Sequence, residues 1–81
     1  MERRWFECES GAMLDMNSVV AFRLNVGSAD TYGIIAETTG SQGIVVGKLV
    51  RHETSVKMCR ILATNESLLS WVEATAVLRS E

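Results

Sequence analysis

The chain has 81 residues, 47% of them hydrophobic and 22% charged, with a formal net charge of −2. That apolar content with so little net charge excludes an intrinsically disordered polymer, and the length suits a single domain, residues 1–81, that hides only about 60% of its unfolded surface. No run approaches the roughly 18 apolar residues that span a membrane, and no secretory signal follows the charged opening MERRWFECES, so a cytoplasmic protein with no membrane partner is expected.

In chain order, a short strand fits Trp5 to Cys8 and ends at the turn pair Ser10-Gly11. A second fits Ala12 to Asp15, with Asn17-Ser18 as the next turn. VVAFRLNV, residues 19–26, is the clearest strand: Val20, Phe22, Leu24 and Val26 alternate onto one face, Arg23 and Asn25 onto the other. After the loop GSAD, YGIIAE places Tyr32, Ile34 and Ala36 on one face and Gly33, Ile35 and Glu37 on the other. In IVVGKLV strict alternation sends Val45 and Leu49 one way, and Ile44, Val46 and Val50 the other with Lys48. Branched apolar residues on both faces imply that something covers the second face. The helical region or another subunit could supply that cover.

From His52 the period changes. Thr54 is the expected N-cap of a helix over SVKMCRILA, with Met58, Cys59, Leu62 and Ala63 on one side and Lys57 and Arg60 toward water. Asn65 is the expected cap of a second helix over residues 66–80, although VEATAVL also alternates as a strand would. The expected fold class is α+β, an antiparallel five-stranded meander followed by one or two C-terminal helices.

Two loop motifs occur in ETTGSQGIVVGKL. A Walker loop needs four residues between its glycines and a Ser or Thr after the Lys. Here Gly43 and Gly47 enclose three, and Leu49 follows Lys48. GSQG has the spacing of a KH-type clamp, but it joins two strands and contains no basic residue. A Gly-turned hairpin accounts for both.

Chemistry-bearing residues are sparse. His52 is the single histidine, so no His-rich metal centre can form. A spatially assembled Ser-His-Asp set would draw on Asp15 or Asp30, but no nucleophile elbow accompanies them. Glu7 and Glu9 share a strand face, where carboxylates are normally solvated. Cys8 and Cys59 lack neighbouring ligands and read as small buried hydrophobes. Between residues 48 and 60, Lys48, Arg51, Lys57 and Arg60 face one acid, Glu53, four positive charges against one negative. Such a patch could meet phosphates.

The segment WFECESGAMLDMNSVVAFRL resembles the opening of small uncharacterised bacterial domains carried by phages or mobile gene cassettes. Trp5, Gly11, Leu14, Met16, Val19 and Val20 carry the likeness, with Val46-Gly47 in the hairpin before the helix, over residues 5 to 63 or so. The resemblance implies an α+β fold and no catalytic motif.

These residues form no catalytic, cofactor or metal constellation. A non-enzymatic binding or assembly module is therefore expected, a homo-oligomer formed through an apolar sheet face or the C-terminal segment. Ile44, Val46, Val50 and Trp71 are its candidate interface residues, with core packing as the competing role for Trp71. The alternative is a nucleic-acid-associating accessory protein using Lys48, Arg51, Lys57 and Arg60. A third reading places a ligand site or an enzyme between subunits, around His52.

Overall fold

The computed structural model describes residues 4–40 and 43–81. Its strands are β1 (Trp5–Glu7), β2 (Met13–Asp15), β3 (Val19–Val26), β4 (Thr31–Thr38) and β5 (Ile44–Val50), and its helices are α1 (His52–Thr64) and α2 (Trp71–Ser80). The α+β class holds. The five strands do not make one meander, however: β1 and β2 form a hairpin of their own, and a separate antiparallel sheet has the order β3-β4-β5.

The division has a local cause. At the end of β2 the Asp15 carboxylate accepts the Asn17 N–H at 3.0 Å, and Met16–Ser18 form a 3-10 turn. That turn redirects the chain before β2 can pair with β3. In the hairpin Phe6 stands opposite Leu14, and both side chains enter the core while Trp5 and Met13 stay exposed.

The hairpin then docks on the sheet. Glu9 N–H donates to the Val46 carbonyl at 2.9 Å, and the Glu9 carboxylate accepts the Lys48 N–H at 3.1 Å. Glu7 N–H reaches the Leu69 carbonyl at 2.9 Å. The middle of the β5 edge is thereby engaged by the chain itself.

Strict alternation fails in β5. Ile34 pairs with Gly47 and Ile35 with Val45, so Val46 is an extra residue. Such a bulge places two consecutive residues on one face and reverses the parity beyond them. Ile44, Val46, Gly47 and Leu49 consequently face the core, while Val45, Lys48 and Val50 face away from it. The expected grouping of Ile44, Val46 and Val50 on one second face is corrected accordingly.

One core joins Phe6, Leu14, Ile34, Ala36, Val46, Met58, Ile61, Leu62, Leu68, Trp71 and Ala74. α1 packs over the face of the sheet that carries Ile34, Ala36 and Val46. The indole of Trp71 lies flat on Gly47, where a Cβ would come within 2.5 Å of the ring.

Both helices begin elsewhere than expected. α1 starts at His52, two residues before Thr54, and has no side-chain cap. Its first turn is held instead by Ser55, whose hydroxyl donates to the Arg51 carbonyl at 2.9 Å. Asn65 closes α1 rather than opening α2, its side chain accepting the Ser67 N–H at 3.1 Å. The true cap of α2 is Ser70, which accepts the Glu73 N–H at 3.2 Å, while the Glu73 carboxylate returns to the Leu69 N–H at 2.8 Å. This is close to a capping box.

Arg51 carries a φ of +75° and a ψ of 130°, a conformation that costs a residue with a Cβ on the order of 1–3 kcal/mol. The tight junction enforces it, for Arg51 N–H donates to the Asp30 carbonyl at 2.9 Å. Arg51→Gly keeps that bond and removes the strain. It is expected to raise the unfolding free energy by about 1 kcal/mol after the added chain entropy of glycine, read as a higher urea midpoint. A lower midpoint would show that the Arg51 side chain, not its backbone, matters there.

Candidate functional site

The feature that stands out is an edge. In the order β3-β4-β5 the outer side of β3 faces no strand among the described residues, whereas Glu9 engages the Val46 carbonyl and the Lys48 amide on the β5 edge. Gly27 N–H bonds the Thr31 carbonyl at 2.8 Å, and peptide groups alternate in direction along an antiparallel strand. Asn25, Arg23 and Ala21 therefore turn their peptide groups toward β4, and Phe22, Leu24 and Val26 turn theirs outward.

From Ala21 onward this edge lacks the usual safeguards. Free edges are normally blunted by lysines, prolines, short strands or bulges. β3 is eight residues long and bears one charge, Arg23, which is already paired with Glu37 at 3.4 Å. A bulge at Val20 disturbs only its beginning. Val26, 73% exposed, is the most open apolar residue of the strand. Beside the edge, on the helical face, lies a hollow of about 420 Å³ lined by Val20, Ala21, Phe22, Cys59, Arg60 and Ala63, with Val19 at its end.

The expected site residues fall as follows. Val46 is wholly buried and Trp71 is 6% exposed, so both side chains belong mainly to the core of this chain. Ile44 is half-buried against the core. Val50 alone of the four is exposed, on the sheet face away from the helices. That face is less apolar than the sequence suggested. Ile35 lies on it but is only 6% exposed; Gly43 packs close over its side chain, and Arg23 is its partner across the β3–β4 pair.

The four cations do not share one surface. Lys48 stands beside Gly33 on the open sheet face, with the sheet between it and α1. Arg60 lies on α1 next to the beginning of β3, and Lys57 and Arg51 are exposed. Lys48 and Arg60 therefore lie on opposite sides of the sheet.

His52 is exposed and meets the Tyr32 ring edge-on, with centroids 5.4 Å apart. Desolvation, followed by the neighbouring Asp30 carboxylate, pushes the Tyr32 hydroxyl pKa up. Asp15 serves the turn after β2. The cysteines are free; Cys8 is buried and Cys59 partly so, and burial pushes both thiols up. Among the described residues, no group of three His, Cys, Asp or Glu side chains converges as metal ligands, and no helix is long and apolar enough to cross a membrane. The GSQG turn lies partly outside the described residues, at positions 41 and 42.

The residues the sequence reading passed over are Phe22, Leu24 and Val26 as edge positions. The signal was available in VVAFRLNV, whose eight residues hold a single charge. The missing information was which side of the strand would stay unpaired. Comparison with protein-family models, curated proteins and solved structures gives no match.

Proposed function

We propose that the protein is a non-enzymatic assembly module that self-associates through its three-stranded sheet. The free β3 edge carries this reading: the chain spends Glu9 on covering β5 and leaves β3 open, apolar and nearly uncharged. A small domain also gains disproportionately from extra burial, since its own core is limited. Nucleic-acid association is disfavoured because Lys48 and the α1 cations lie on opposite sides of the sheet, and a net charge of −2 opposes phosphate.

Light scattering coupled to size exclusion, over a range of micromolar concentrations, tests the reading. A concentration-dependent dimer is the expected result. A strictly monomeric species throughout that range would overturn it.

A further inference from the structure

We infer that the partner on β3 is a second copy of β3, antiparallel, with the twofold axis at Leu24. This deepens the reading of the chain as self-associating and depends on it. The argument begins with which peptide groups are available. Phe22, Leu24 and Val26 point theirs outward, and an antiparallel partner must present outward-pointing groups in return. Only registers that pair these residues with one another satisfy both strands.

Two such registers centre on the middle of the strand, and the side chains separate them. With the axis at Arg23, Phe22 pairs with Leu24 of the second copy, and Arg23 is set directly against its own copy. Like charges in that position repel. With the axis at Leu24, Phe22 pairs with Val26 of the second copy and Leu24 with Leu24. Arg23 then faces the Asn25 amide, which can accept a hydrogen bond from the guanidinium. About six backbone hydrogen bonds close the pair.

The hollow beside β3 gives independent support. Val26 lies on the same face as Phe22 and Leu24, the helical face, and stands 73% exposed in one copy. In the Leu24 register the second copy's Val26 comes alongside Phe22, at the hollow of about 420 Å³ whose walls include Phe22, Cys59 and Ala63. The most exposed apolar side chain of the strand thus meets the apolar part of a mixed recess of the same chain, which Arg60 also lines, twice, by symmetry.

Amide hydrogen exchange measured at several protein concentrations tests the edge without altering the chain. Protection of Phe22, Leu24 and Val26 is expected to rise with concentration, while Arg23 and Asn25, already bonded to β4, change little. The register is tested by two exposed substitutions. Asn25→Asp is expected to tighten dimerisation by about two- to tenfold through two new pairs with Arg23, and Asn25→Lys to weaken it at least as much. Circular dichroism verifies that both variants remain folded. A dimer whose Phe22, Leu24 and Val26 amides exchange at a concentration-independent rate would overturn the edge pairing while leaving self-association intact. Protected amides with no response to either substitution would overturn the Leu24 register alone. Absence of any dimer would overturn self-association and this pairing with it.

Discussion

Trp71→Ala is expected to cost about 3–5 kcal/mol of unfolding free energy, the range for deleting a buried large aromatic side chain. In a domain whose total is of that same order to a few times larger, the variant would be mostly unfolded at 37 °C or close to it. The position of Trp71 explains why. It begins α2 directly after the Ser70 cap, and its ring covers Gly47 at the bulge of β5. One side chain therefore fixes the helix to the sheet. Gly47→Ala addresses the same contact from the other side. A Cβ there would meet three atoms of the indole at 2.5–2.6 Å, and overpacking of that kind costs about 1–3 kcal/mol. The two substitutions share one contact, so their effects should not add: Gly47→Ala should cost far less on a Trp71→Ala background. Urea unfolding of the four proteins of this cycle measures the coupling. Additive losses would mean that the ring does not bear on Gly47.

Phe6→Ala is expected to be of similar size, about 3–5 kcal/mol, but to act through a different part of the molecule. Phe6 is fully buried opposite Leu14 and is the main anchor of a hairpin whose strands are three residues each. Two strands this short have little stability of their own, so removal of the ring should release the hairpin as a unit. Hydrogen exchange would then show lost protection at the Glu9 amide, bonded to Val46, and at the Lys48 amide, bonded to the Glu9 carboxylate. A stability loss below about 1 kcal/mol, with those two amides still protected, would place the hairpin's anchorage elsewhere, for instance in Leu14 and Cys8.

How far the sequence could be read depended on the range of each interaction. β4 was legible because Ile34 and Ala36 on one face and Gly33 and Ile35 on the other follow plain alternation. β5 was misread, since one extra residue at Val46 reverses the face of Lys48 and Val50, and the isolated Gly47 beside it was the one sign of it in IVVGKLV. The start of α2 was legible but passed over: Ser70 and Glu73 have the S-x-x-E spacing, and Asn65 was preferred for its position after α1. The start of α1 was not legible, because Arg51 adopts a positive φ under the constraint of a partner in the β3–β4 turn. Trp71 was open to two readings until Gly47 was found beneath it, a contact between positions 24 residues apart. The candidate site shared this fate. Phe22, Leu24 and Val26 could be placed on one face from their spacing, but the free side of their strand follows from the order of the sheet.

The Glu9 contact also bears on how large an assembly can grow. A sheet with two open edges can recruit copies on both sides without end, as fibrils do. Here the Val46 carbonyl and the Lys48 amide are already engaged by Glu9, so if chains pair through β3 as proposed, the three-stranded sheet has its other edge obstructed and the pairing would stop at two. On this view a single glutamate at the tip of a small hairpin separates a discrete dimer from open-ended polymerisation.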